Sequence, residues 1–241
     1  MKTERFSTAD ALTRKDLTVC IYRKFRQKAA AVYHRIRDKK EKQHLQQLRK
    51  QYTGQPCSII SNNCVGGVIY HNLGLRFDSP TINLYIKGIE YLEFCKHLEY
   101  YAKCPLVECT DSMDVTCPVG TLIPTDDDHI PVHIYFEHDD NFAQAKEKWM
   151  ERFSRVDYDN VFFIWEFYDT LYDHDMLYSF DRLPLKHKLI ITHRELPDLQ
   201  NAVTVHCYQN DQPFAQILAY KGLSGKRYLD EIDYVDFLNR N

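Results

Sequence analysis

CSIISNNCVGG, residues 57–67, sets a short apolar run before Ser61, Asn62, Asn63 and Cys64, and closes on two glycines that precede the periodic stretch VIYHNL. A strand that feeds a turn opening a helix accounts for this order, with the four polar or thiol residues at the mouth. In an open parallel sheet that junction binds ligands, because the strand ends face a crevice and the next helix presents unpaired N–H groups. The stretch therefore points to a small-molecule or acyl-group site.

Working outward, four more strand-like runs cover residues 132–137, 161–167, 188–192 and 203–208. Helical periods separate them. In residues 87–101 Tyr91, Phe94, Leu98 and Tyr101 share one face; in residues 141–155 Phe142, Ala145, Trp149 and Phe153 do the same, and Asn141 with Gln144 fits a capping box. Alternating strands and helices predict a three-layer α/β domain over residues 52–241, built on a mostly parallel, open, Rossmann-like sheet. Residues 104–131, rich in Pro, Asp, Thr and Cys, read as a surface excursion. The segment 223–237 reads as a short docking element.

The chain of 241 residues and 28.6 kDa fits one domain with additions. Its net charge of -3 hides a division. Residues 14–50 carry thirteen Lys or Arg against three acids, whereas residues 51–241 carry sixteen bases against twenty-nine acids. Residues 1–51 are thus a basic helical extension on an acidic body, with Leu17, Ile21, Phe25, Ala29, Val32 and Ile36 in one apolar stripe. Such a helix suits docking on the domain, on a second subunit in a homo-oligomer, or peripheral contact with an anionic membrane through residues 14–50. Nucleic acid is not expected, since the acidic body repels its backbone. No run has transmembrane length and the first residues lack a signal-peptide core, so a cytoplasmic protein, free or membrane-associated, is expected. The eight cysteines are scattered, as free thiols in a reducing compartment would be.

Ser61 and Cys64 are the candidate nucleophiles, Cys64 because a helix N-terminus favours a thiolate. Asn62, Asn63 and Gly66 offer an anion cradle or oxyanion hole, although SNNCVGG is neither a dinucleotide fingerprint nor a Walker motif. Arg76, Asp78, Ser79 and Asn83 form a polar turn suited to substrate contact. His133, alternating with Val132 and Ile134, is the candidate general base. Trp149 and Arg152, three residues apart, are placed to share a sugar- or phosphate-contacting edge. His129, His133, His138 and the acids at 126–128 match no standard metal spacing, and no metal is expected.

SNNCVGG at 61–67, Tyr70, LG at 73–74, FDSPTINL at 77–84, PVG at 118–120, and the region from His133 through Trp149 and Arg152 to DN at 159–160 resemble a known family. This is the domain-of-unknown-function family numbered nineteen-nineteen, whose members are often labelled exopolysaccharide biosynthesis proteins. The likeness spans roughly residues 55–210. Asn63-Cys64 also resembles, more distantly, part of the GNCQ string of WcbI-type capsule acetyltransferases, which bind coenzyme A; here Val65 replaces the glutamine. These resemblances imply a transferase, in particular an acyltransferase, that uses coenzyme A or acyl-coenzyme A to modify a cell-surface polysaccharide precursor, with a glycan or nucleotide sugar as substrate. The alternatives are a non-catalytic sugar- or nucleotide-binding protein of exopolysaccharide biosynthesis and a serine or cysteine esterase-like hydrolase.

Overall fold

A computed structural model describes residues 9–110, 116–168, 173–207 and 214–240. Contacts divide the chain into two compact units, one reaching His44 and including Tyr220–Lys226, the other comprising Leu45–Ala219 and the residues from Arg227.

Helix α1, Ala9–Gln51, begins in the first unit and supplies the basic extension. Within that unit Arg37 lies 4.2 Å over the Tyr220 ring, and the Tyr220 hydroxyl donates to Glu41 Oε1 at 2.7 Å. Gly225, at φ +74°, runs so close to the helix that a Cβ there would sit 2.4 Å from the Glu41 nitrogen. Of the expected apolar stripe, Phe25 is 71% exposed and Val32 and Ile36 are also exposed, while the side chains of Leu17 and Ile21 lie outside the described set. Among the described residues, no helix is long and apolar enough to cross a membrane.

The second unit is an α/β fold around a parallel sheet. Strand β1 is Ser58–Ser61, followed by helices α2, Val65–Leu73, α3, Gly88–Lys96, and α4, Leu98–Tyr101. Strands β2, Leu106–Glu108, β3, Val119–Leu122, and β4, Val132–Tyr135, then lead to α5, Phe142–Phe153. After it come β5, Val161–Glu166, α6, His174–Asp181, β6, His187–Thr192, β7, Ala202–Thr204, and α7, Tyr234–Leu238. The parallel sheet has the order β1-β5-β6-β7. Its central strands VFFIWE and HKLIIT are mostly β-branched and aromatic, as strands buried on both faces favour. Ile60, Phe163, Trp165 and Ile190 enter one core with α3, α5 and α6; Ile59, Phe162, Ile164 and Ile191 enter a second with α2 and α7.

Three features depart from expectation. The excursion at 104–131 contributes β2 and β3, which pair antiparallel with β4, so the strand carrying His133 belongs to a second sheet of order β2-β3-β4. The helical period at 87–101 is interrupted at His97, φ -128° and ψ 40°, which separates α3 from α4. The run at 203–208 yields only β7, and Tyr208 lies outside the described residues. Residues 85–86 tie the two sheets together: Ile86 N–H donates to the Asn62 carbonyl at 2.9 Å, and Tyr85 exchanges two 3.0 Å backbone bonds with Tyr135.

Strand β1 lies at an edge of the parallel sheet, and side chains cover it. The Tyr70 hydroxyl accepts from Ile59 N–H at 2.9 Å and donates to the Cys57 carbonyl at 2.8 Å, while Thr81 Oγ1 accepts from Ser61 N–H at 3.0 Å. Polar side chains thus take the place of a missing neighbour strand, whose absence would otherwise leave buried donors unpaired.

Candidate functional site

At the carboxyl end of β1 the chain turns sharply into α2. Asn63 Oδ1 accepts from Val65 N–H at 3.0 Å, capping the helix start. Ser61 Oγ donates to the Asn63 carbonyl at 2.7 Å and accepts from Gly66 N–H at 3.1 Å. Ser61 is fully buried, so its hydroxyl belongs to the turn. Gly66 serves close packing, because a Cβ there would lie 2.6 Å from Ser61 Oγ.

Asn62 and Asn63 join this turn to the end of β5. The Asn62 amide donates to the Glu166 carbonyl at 3.0 Å and accepts from Glu166 N–H at 2.9 Å, which extends the sheet ladder by one side chain. Asn63 Nδ2 donates to Glu166 Oε2 at 2.5 Å. The other carboxyl oxygen of Glu166 accepts from the Tyr168 hydroxyl and lies 3.3 Å from His193 Nε2. Tyr168 stacks on His193 with ring centroids 4.8 Å apart, and Cys207 Sγ lies 4.0 Å from His193 Nδ1. The ends of β1, β5 and β6 thus converge on one buried carboxyl group, and Cys207, after β7, stands behind His193. Both asparagine amides spend their acceptor oxygen and one N–H on protein partners, so holding Glu166 is their first task.

A cavity of about 400 Å³ opens above this floor. Asn62, Asn63, Cys64 and Tyr168 form one side; Lys87, Gly88, Ile89 and Glu90, the N-cap and first turn of α3, form another. The α3 N-terminus has no side-chain cap, so its N–H dipoles are available to a ligand. Tyr85, Glu137 and Asp173 complete the polar lining. Tyr85 stacks on Tyr135 at 4.4 Å, with the Lys87 ammonium 4.4 Å from the Tyr135 ring centre. Burial pushes the Cys64 thiol up to about 11, and the Glu137 and Glu166 carboxylates act in the same direction. Desolvation and two acids outweigh the start of α2, so Cys64 lines the cavity as a thiol, in place of the expected thiolate.

The remaining sequence candidates lie elsewhere. After α2 the chain returns to the start of β1, and 78–81 then runs beside the strand in the same direction, which sets Asp78 at the strand's beginning: Ser58 Oγ donates to the Asp78 carbonyl at 2.7 Å, and Ser61 N–H donates to Thr81 Oγ1 at 3.0 Å. Asp78 pairs with Arg155 at 3.1 Å and with the exposed Arg76 at 3.5 Å, and buried Ser79 contacts Thr81 at 3.1 Å. Asn83 is exposed in the left-handed region, φ 61°, behind Gly67. His133 does not line the cavity. Its N–H donates to Glu90 Oε2 at 2.8 Å and its Nδ1 lies 2.9 Å from Glu90 Oε1, so it supports a lining residue from behind. Trp149 and Arg152 do not share a ligand edge. Trp149 is buried against Phe94, Phe136 and Phe153, because the amphipathic α5 must bury its apolar face; Arg152 reaches the Ile82 carbonyl at 3.3 Å.

Sequence reading does not nominate Glu137, Glu166, Tyr168 or His193. One signal for Glu166 is present: a lone acid closing the apolar run VFFIWE, at the carboxyl end of a parallel strand. At the far end of α3 from the cavity, Glu93, His97 and His129 bring one carboxylate and two imidazoles within 4.8 Å of one another.

The family described as "Domain of unknown function (DUF1919)" matches residues 32–239. An uncharacterized protein of Haemophilus influenzae is 32% identical over 192 residues, covering 80% of this chain and 88% of that relative.

Proposed function

We propose a function for the cavity from the premise that the chain belongs to the DUF1919 family: transfer of an acyl group from a thioester donor to a hydroxyl of a cell-surface polysaccharide precursor. The observation that carries this reading is the lining itself, where three carboxyl groups, Glu90, Glu137 and Asp173, and two tyrosines, Tyr85 and Tyr168, meet an uncapped helix N-terminus with Lys87. Carboxyl groups and aromatic faces suit a neutral sugar's hydroxyls and ring. They suit a diphosphate poorly, since Lys87 is the one cation among the described lining residues. This favours a glycan over a nucleotide sugar.

In this reading the acceptor hydroxyl gives its proton to Glu137 as its oxygen attacks the thioester carbonyl. The oxyanion forms against the first N–H groups of α3 and the Lys87 ammonium. The C–S bond then breaks, and the departing thiolate recovers the proton from Glu137. Glu90, braced by His133, positions the sugar. Cys64 is a wall of the cavity and carries no acyl group. An acyl-coenzyme A donor supplies the thioester, with its phosphates outside the cavity. The exposed apolar residues of α1, set among basic side chains, support peripheral contact with an anionic membrane bearing lipid-linked precursor.

A second reading is a sugar-binding protein without catalysis. It is favoured by the engaged Ser61 hydroxyl and the protonated Cys64 thiol, which leave neither expected nucleophile ready; the same facts weigh against an esterase acting through either residue. Mass spectrometry of glycan acceptors after incubation with acetyl-coenzyme A separates the two. Acetylated glycan supports transfer, and saturable binding without product supports the binding protein.

A further inference from the structure

The last turn of α3 presents Glu93 and His97 four residues apart on one face, and the helix ends at His97. The loop 123–131 brings His129 against them. One ligand atom from each of the three lies within 4.8 Å of the others, and Glu93 Oε1 is already 3.5 Å from His97 Nε2. Ligand atoms on a tetrahedral ion with bonds of about 2.1 Å stand roughly 3.4 Å apart, so small side-chain rotations close the set.

His129 is held in advance of any ion. Its Nδ1 lies 2.7 Å from Asp126 Oδ1, and its ring stacks on Tyr100 at 3.8 Å with 14° between planes. The His97 ring meets it edge-on at 4.6 Å. The loop itself hangs on α4: Thr125 N–H donates to the Tyr100 hydroxyl at 2.8 Å, and the Tyr101 hydroxyl donates to the Ile130 carbonyl at 2.7 Å. A carboxylate accepting from Nδ1–H leaves the Nε2 lone pair for a metal, the arrangement by which an outer carboxylate orients a ligating histidine. Side-chain exposures of 17% for Glu93, 17% for His129 and 33% for His97 leave the group half-buried, with room for solvent.

We propose that Glu93, His97 and His129 bind a zinc-class divalent cation, with Asp126 orienting His129 and water as the fourth ligand. Two imidazoles and one carboxylate select such an ion over calcium or magnesium, which prefer all-oxygen sets. The ion clamps the loop 123–131 to the corner between α3 and α4, independently of the cavity's chemistry.

The test titrates cobalt(II), a spectroscopic stand-in for zinc, into the full chain after chelator treatment. A d–d absorption band that saturates at one equivalent is expected. It is lost in His97→Ala and His129→Ala, and Asp126→Asn weakens binding about 10–100-fold. A measurement on the unsubstituted chain covers the case in which these variants do not fold: zinc protects His97 and His129 from diethylpyrocarbonate, mapped by peptide mass spectrometry. Absence of saturable binding, a band unchanged in both alanine variants, or zinc that leaves His97 and His129 as reactive as before overturns the proposal.

Discussion

Asn63 Nδ2 lies 2.5 Å from Glu166 Oε2, and both side chains are buried. Asn63 also caps Val65, so one residue couples the start of α2 to the end of β5. Asn63→Ala leaves a buried carboxyl oxygen and a helix N–H without these partners, a loss of about 2–4 kcal/mol. At about 2–4 °C per kcal/mol for a chain of this size, differential scanning calorimetry resolves it. A melting temperature within 1 °C or so of the parent would show that the pair is dispensable.

Tyr70→Phe is the most conservative test of the covered sheet edge. The ring stays, but the buried Ile59 N–H and Cys57 carbonyl lose their hydroxyl partner. A loss of about 1–3 kcal/mol is expected in urea unfolding, with the slope unchanged.

Gly66 and Gly67 are adjacent in the same helix yet are expected to respond oppositely to alanine. At Gly66 the added carbon sits 2.6 Å from Ser61 Oγ and 3.2 Å from Ile59 Cγ2, a clash costing about 1–3 kcal/mol. This exceeds the roughly 1 kcal/mol that alanine gains over glycine in a helix. At Gly67 the nearest atom is 3.4 Å away, so the helix gain prevails. Chemical unfolding should show Gly66→Ala less stable than the parent and Gly67→Ala equal or more stable.

That contrast also marks what the sequence could convey. The strand, turn and helix at 57–73 were legible because apolar runs, polar turn residues and glycines each have a local cause. The buried α5 face and the apolar β5 and β6 runs were legible for the same reason. Of the antiparallel β2-β3-β4 sheet only β4 was legible, because β2 and β3 are too short to show a period and the pairing of Val119 with Tyr135 depends on contacts distant in sequence. Asn62, Asn63 and Cys64 stand at the strand end as their order predicts; Asp78 and Ser79 do not reach the cavity, because a polar turn does not reveal that after α2 the chain returns to the start of β1. Glu166, His193 and Cys207 come together only through the strand order. His129 meets Glu93 and His97 only through loop packing on Tyr100 and Tyr101.

Cys64 should alkylate slowly. With its thiol pushed from 9.0 to about 11 by burial and then by the charges of Glu137 and Glu166, the thiolate is about a hundredfold scarcer below pH 9 than in an ordinary cysteine. Iodoacetamide labelling followed by peptide mass spectrometry should give a rate still rising above pH 10. Glu137→Gln removes one opposing charge and should accelerate labelling at a given pH. A rate that levels off near pH 8 would contradict the assignment of Cys64 as a passive wall.

The most direct test is transfer of a deuterated acetyl group from acetyl-coenzyme A to a glycan acceptor, measured for the parent chain and for Glu137→Gln. Removing a general base lowers turnover about 10²–10⁴-fold, so the expected result is labelled glycan from the parent and that degree of loss in the variant, with glycan binding retained. Equal turnover in the two proteins, or saturable glycan binding with no labelled product from the parent, would contradict acyl transfer at this cavity.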